Sequence, residues 1–170
     1  MDQLWAPWRL SYVATAGKLP SPPDACFICQ GLSESDDRRN LIVLRRPRSV
    51  VVLNRFPYNN GHLLVAPRAH KGTLADLDIA EVLEVQQTLA RMVGVLDDLM
   101  HPDGYNVGLN LGKAAGAGLP GHLHWHIVPR WHGDTNFMPI MADTKVIVQS
   151  LDALYDLLVA RLSSAGEPGA

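Results

Sequence analysis

The spacing of apolar residues changes several times along the chain, and each change marks an element. Leu41–Leu44 and Ser49–Asn54 are runs rich in Ile, Val and Leu, separated by the turn signal Arg45-Arg46-Pro47-Arg48, and together they predict a β-hairpin. Phe56-Pro57-Tyr58-Asn59-Asn60-Gly61 reads as a second turn, followed by a third strand over His62–Ala66 that Pro67 closes. From Thr73 the period lengthens. Leu74, Leu77, Val82, Val85, Leu89, Met92, Val93 and Leu96 recur at steps of three and four, which is one face of a long amphipathic helix. Thr73 or Asp76 would cap it, and it would end near His101-Pro102-Asp103-Gly104. Tyr105–Leu109 predicts a fourth strand, Gly112–Gly118 a Gly-rich loop, and His122–Val128 a fifth strand. A last helix is expected from about Thr144 to Leu162, before a Gly/Pro/Ser tail that frays. Gly31–Asn40 is polar and reads as a loop. Strands, then a helix, then strands with short antiparallel links give an α+β fold rather than an alternating parallel sheet.

The first 25 residues read as an irregular arm with some short helix, anchored by Trp5, Trp8 and Tyr12, with a Pro-rich spacer over Lys18–Asp24. The organisation is therefore an arm (1–25), one compact domain (26–137) and a helical extension with its tail (138–170). At 170 residues the chain can bury a sizeable core. Its formal charge of −2 offers no general attraction to nucleic acid or to a membrane surface. No apolar run is long enough to span a bilayer, and the segment from Met1 to Arg9 lacks the make-up of a signal peptide. A cytoplasmic protein is expected, without nucleic-acid or membrane partners.

The chemistry concentrates in Gly121-His122-Leu123-His124-Trp125-His126-Ile127-Val128-Pro129-Arg130. Side chains alternate faces along a strand, so His122, His124 and His126 would share one face while Leu123, Trp125 and Ile127 pack on the other. A lone histidine is usually a satisfied core or surface residue, but three at strict period two inside an apolar strand form a site. Such a face can bind a metal, attack phosphorus or move protons near neutral pH. The only two cysteines form Cys26-Phe27-Ile28-Cys29. That spacing fits a redox pair, half of a tetrahedral zinc site, or two buried thiols.

His122-Leu123-His124-Trp125-His126-Ile127-Val128 resembles the histidine triad (HIT) motif, in which three histidines alternate with apolar residues. Cys26-x-x-Cys29, Asn54-x-x-Pro57-Tyr58-Asn59-x-Gly61-His62, Pro67-x-x-His70 and Asn106-x-Gly108-x-Asn110-x-Gly112 follow the family's order. The flanks Leu4-Trp5-Ala6-Pro7-Trp8-Arg9 and Pro129-Arg130-Trp131-His132-Gly133-Asp134-Thr135-Asn136-Phe137 resemble the bacterial branch related to diadenosine tetraphosphate phosphorylases. The resemblance implies a HIT-like fold: a five-stranded antiparallel sheet with a long helix and a C-terminal helix, paired in a homodimer. It also implies nucleotidyl transfer through a covalent nucleotidyl-histidine, with His124 as nucleophile and His126 at the phosphate oxygens or leaving group. Asn54 falls at the position that reads ribose hydroxyls, and the purine would lie near Leu53 and Phe56. Asn110 and main-chain amides from Gly116 to Gly118 would add phosphate donors. His70 and His122 would join Cys26 and Cys29 around a structural zinc, with no organic cofactor.

One departure stands out. Many triad hydrolases carry Gly-Gln-Ser or Gly-Gln-Thr before the triad, whereas this chain has Ala117-Gly118-Leu119-Pro120-Gly121. Phosphate contact would then fall to main chain, Lys113 or Arg130, and a more open site could admit inorganic phosphate in place of water. Hydrolysis of a phosphoramidate or dinucleoside polyphosphate is the alternative. Two further readings are a catalytic metal held by all three triad histidines and a nucleotide-binding sensor without turnover. Arg45, Arg46 and Arg48 read as a solvated turn rather than a polyphosphate clamp. His62 reads as more structural than catalytic, and His101 and His132 as surface residues.

Overall fold

A computed structural model describes residues 26–134, 147–164 and 166, with the Lys113 side chain left aside. The expected arm (1–25), and the positions Asn136 and Phe137, lie outside the described residues. Helix α1 spans Phe27–Ser33, strands β1 Ile42–Arg45, β2 Ser49–Leu53 and β3 Leu63–Pro67, helix α2 Ile79–Met100, strands β4 Gly104–Leu109 and β5 Trp125–Arg130, and helix α3 Leu151–Ser164. The strands form one antiparallel sheet in the order β1-β2-β3-β5-β4. This is the expected α+β, five-stranded HIT-like architecture.

The core lies between one face of the sheet and helices α2 and α3. Val85, Leu89, Met92 and Leu96 meet the sheet from α2, while Leu154, Leu158 and Leu162 do so from α3. Ser49 Oγ touches Thr88 Oγ1 of α2 at 3.1 Å, which fixes the row Ser49, Val51, Leu53 as the helix-facing side of β2. The opposite row carries Val50, Val52 and then Asn54.

Four sequence expectations need correction. Cys26-x-x-Cys29 begins helix α1, where a loop over Gly31–Asn40 was expected to start only two residues later; Cys26 is its N-cap, with Sγ accepting from Cys29 N–H at 3.5 Å. The long helix starts at Ile79, because Asp78 and Glu81 form a reciprocal capping box (Glu81 N–H to Asp78 at 2.8 Å, Asp78 N–H to Glu81 at 2.9 Å). Thr73 and Asp76 close only a single 3₁₀ turn over Leu74–Asp76, and Leu74 and Val82 are exposed. The last helix begins at Leu151; 144–146 lie outside the described residues and 147–150 are not helical.

The fourth correction concerns Arg45, which is half-buried rather than solvated. It donates to the carbonyls of Gly31 and Glu34 (both 2.9 Å) and Leu32 (3.1 Å) and pairs with Asp37 at 2.5 Å. A guanidinium is well placed at these carbonyls, the negative end of α1.

Gly61 shapes the turn that delivers His62 into the sheet. Its φ is +77°, and an added Cβ would sit 2.8 Å from Met100 Sδ and 2.9 Å from Pro129 Cγ. Gly61→Ala combines backbone strain with overpacking and is expected to cost about 2–4 kcal/mol. A lowered urea midpoint at unchanged slope is the expected observation; an unchanged midpoint would contradict it.

Candidate active site

Strand β5 begins at Trp125, three residues later than the alternating pattern suggests. Its neighbour β3 ends at Pro67, which has no N–H to offer a ladder. The segment before Trp125 finds other partners: His122 Nε2–H donates to Pro67 O at 2.8 Å, and Leu123 N–H donates to Lys71 O at 2.7 Å. The three imidazoles therefore do not simply line one strand face. His122 turns toward the cysteines, while the rings of His124 and His126 stay adjacent, with centroids 5.1 Å apart.

His122 Nδ1 lies 3.2 Å from Cys26 Sγ and 3.5 Å from Cys29 Sγ, and His70 Nδ1 lies 3.2 Å from Cys29 Sγ. The four donor atoms all lie within 4.8 Å of one another, and both thiols are free. A zinc tetrahedron with bonds of about 2.0–2.3 Å has edges near 3.5 Å, so the cluster fits a closed Cys2His2 site. The bond from His122 to Pro67 fixes the tautomer that leaves Nδ1 free for a metal. Burial, reinforced by Cys26, pushes the Cys29 thiol up to about 11; a cation in the cluster would supply the missing counter-charge. The reading in which all three triad histidines grip one metal does not match this geometry. Only His122 joins the cluster, and its Nε2, like Nδ1 of His124 and of His126, is already bonded elsewhere.

His124 is buried, and its Nδ1 lies 2.8 Å from His122 O. A carbonyl only accepts, so Nδ1 carries the proton and Nε2 keeps its lone pair. Burial lowers the His124 pKa and holds the ring neutral. His126 Nδ1 contacts His62 Nε2 at 2.9 Å, while its own Nε2 is buried without a partner among the described residues. Burial, aided by His124, pushes His126 down to about 4.

The His126 shift has a consequence for stability. An unfolded histidine titrates near 6.5, so between about 6.5 and 4 the unfolded chain binds more protons at this site than the folded one. The contribution is complete above about pH 6.5 and is lost as pH falls toward 4, on the order of 2–3 kcal/mol. Urea unfolding at pH 7 and pH 4.5 should show the loss, and His126→Asn should reduce it; an equal loss in both proteins would contradict the assignment.

The register places two clefts on the sheet face away from the helices. Val52 pairs with Leu64, Leu64 with His126, and His126 with Gly108, so these four side-chain positions form one row across the sheet. At one end is a cleft of about 540 Å³ walled by Phe27, Asn54 and Phe56 among others, over Val52 and Leu64. At the other is a cleft of about 450 Å³ with His126, Tyr58, Asn106 and Asn110 on its walls. Of the triad, His126 borders the second cleft, at the other end of the row from the Val52 and Leu64 floor of the first.

Asn54 and Phe56 line the first cleft and Asn110 the second. Leu53 borders the first cleft, but its row faces the helices and its side chain belongs to the core; the pleat puts Val52 on the cleft side. Gly116 and Gly118 lie in the loop beyond Asn110, with Gly116 at φ +84°. Arg130 is committed to Asp134 (2.5 Å) and to Asn106 Oδ1 (2.8 Å). His101 and His132 are exposed, and His132 pairs with Asp103 at 2.9 Å.

Sequence reasoning missed Phe27, Tyr58 and Asn106. Tyr58 stood within a quoted family segment without a role, and Asn106 within the period-two run Asn106, Gly108, Asn110 that shares a face with His126.

Fold and site together define a histidine-centred α+β domain of the HIT type. The HIT domain model matches residues 36–133, and the chain belongs to that family. An AP-4-A phosphorylase of Mycobacterium tuberculosis is 40% identical over 154 residues, or 89% of this chain and 79% of that one. Among solved structures, a Plasmodium falciparum diadenosine triphosphate hydrolase shares the fold with a TM-score of 0.63 at 21% identity, covering 78% of this chain and 81% of the other. A zinc-bound histidine triad family protein from Mycobacterium smegmatis does so with a TM-score of 0.61 at 23% identity, covering 92% and 94%.

Proposed function

We propose that this protein is a nucleotidyl-transferring enzyme that cleaves dinucleoside polyphosphates, with diadenosine tetraphosphate as substrate and inorganic phosphate as second nucleophile. The observation that carries the reading is the tautomer of His124: a neutral, buried ring with Nδ1 donating to His122 O and Nε2 left as a lone pair. That nitrogen attacks the α-phosphorus, a P–N bond forms, and the bond to the bridging oxygen breaks, releasing ATP. Phosphate oxygen then displaces His124 and yields ADP. The nucleoside occupies the cleft of Phe27, Asn54 and Phe56, with Asn54 at the ribose. Asn110, His126 and main chain at Gly116 and Gly118 serve the phosphates, with Lys113 at the same loop. The likeness to the M. tuberculosis phosphorylase over 89% of the chain supports the substrate choice.

Cys26, Cys29, His70 and His122 hold zinc in this reading, and the ion's task is to tie α1 to the segment bearing His124. A homodimer forms through β4, an edge strand whose residues 106–108 are exposed and free to continue the sheet into a second copy. The two free thiols suit a cytoplasmic setting. No helix among the described residues is long and apolar enough to cross a membrane.

Incubation with diadenosine tetraphosphate, with and without inorganic phosphate, tests the reading. ADP formed only with phosphate is the expected result. AMP and ATP formed regardless of phosphate would make the protein a hydrolase, and tight binding with no product would make it a sensor.

A further inference from the structure

The polar contacts around His62 leave one arrangement of protons. Tyr58 N–H points at His62 Nδ1 from 2.9 Å, and a main-chain amide can only donate. Asn54 Oδ1 accepts from Phe56 N–H at 2.9 Å, which fixes the orientation of its amide and sets Nδ2 beside the His62 ring, 3.2 Å from Nδ1 and 3.4 Å from Nε2. The Tyr58 amide thus requires a lone pair on Nδ1, and the proton of the neutral ring is on Nε2. His62 Nε2 lies 2.9 Å from His126 Nδ1. His126 Nδ1 must therefore accept, and its own proton is on Nε2, the buried atom without a partner among the described residues.

Resting on the reading above, we infer that His62 is a positioning residue: anchored by the Tyr58 amide and Asn54, it locks His126 as an Nε2–H donor aimed at the phosphate oxygens and bars it from acting as a nucleophile. The neighbouring histidines are thereby held in opposite tautomers, His124 with Nδ1–H and His126 with Nε2–H. One presents a lone pair and the other a hydrogen bond, and no proton has to leave His126 for it to act. Protonating His126 would put a second hydrogen between the two rings, donor against donor. This agrees with the depressed pKa of that ring. The chain of contacts also links the wall of the nucleoside cleft, at Asn54, to the phosphate-facing imidazole.

Two substitutions separate this role from simple packing. In His62→Gln the carboxamide can still accept from Tyr58 N–H and donate to His126. In His62→Glu the carboxylate accepts from both sides, so the proton of His126 must move to Nδ1. Nitrogen-15 NMR of histidine-labelled protein reads the tautomer directly, without substrate. Expected are a protonated Nε2 on His126 in the native protein and in His62→Gln, and a protonated Nδ1 in His62→Glu. In turnover, His62→Glu should lower kcat by roughly 10²–10³-fold and His62→Gln by about tenfold or less, with little change in KM. A native His126 protonated on Nδ1, or equal losses of kcat in both variants, would overturn the inference. If a substituted chain does not fold, the native spectrum alone decides. The expected spectrum in a protein that turns over no dinucleoside polyphosphate would uphold the proton arrangement and refute the proposed activity.

Discussion

His124→Ala is expected to lower kcat/KM for diadenosine tetraphosphate by at least about 10⁴-fold, because it removes the nucleophile and leaves only binding and electrostatic assistance. The ring sits at the end of a rigid path. Its Nδ1 is tied to the carbonyl two residues earlier, and the residue bearing that carbonyl is itself held through its ring to Pro67. An alanine leaves both of those supports in place, since the carbonyl and the His122 ring belong to another residue. Nucleotide affinity should change little, because the nucleoside cleft is walled by Phe27, Asn54 and Phe56. Calorimetric binding of a non-cleavable nucleotide analogue, beside steady-state rates, separates the two effects. A variant that retains even a tenth of the native rate would refute a histidine nucleophile at this position.

Cys26→Ser is expected to release zinc and to lower stability by several kcal/mol, read as a fall in Tm of roughly 10 °C at about 2–4 °C per kcal/mol for a chain of this size. The cluster joins parts of the chain far apart in sequence: the start of α1, the segment after β3 and the triad itself. Losing it frees α1, whose other end Arg45 still holds. The remaining sheet and helices keep a core of their own, so the protein should stay folded, unlike a small zinc finger. Activity should fall as well, since His122 supplies the carbonyl that sets the His124 tautomer. Metal analysis of the purified native and variant proteins, with thermal unfolding before and after chelation, checks this. A native protein free of metal, or one indifferent to a chelator, would contradict it.

The strands were legible because their signals are local, β-branched runs broken by Arg-Pro-Arg and by Asn-Asn-Gly, whereas the single five-stranded sheet came from the family resemblance and the adjacency of β3 and β5 was not read. The long helix was legible in period but not in start. Thr73 and Asp76 were the expected caps, whereas the fold has Glu81 closing the box with Asp78, and Lys71 pairs with Glu81 at 2.6 Å. Helix α1 was missed because seven residues with a cysteine, a glycine and a serine carry little helical signal of their own; carbonyls at its end are satisfied by Arg45, which comes later in the chain. The triad announced itself by alternation, yet alternation misjudged where the strand begins, since Pro67 ends the partner strand beside it. The Leu53 expectation slipped by one residue, and in a strand one residue is the difference between core and cleft. The partnership of His62 with His126 joins the residue before β3 to strand β5, and no spacing in the sequence encodes it.

The most direct measurement is rapid quenching of native enzyme with diadenosine tetraphosphate labelled at the α-phosphates, followed by peptide mapping under conditions that preserve a phosphorus–nitrogen bond. One adenylyl group on the peptide bearing His124, appearing together with ATP and disappearing when added phosphate converts it to ADP, is the predicted result. Label on any other residue, or steady turnover with no labelled peptide at any time, would contradict it.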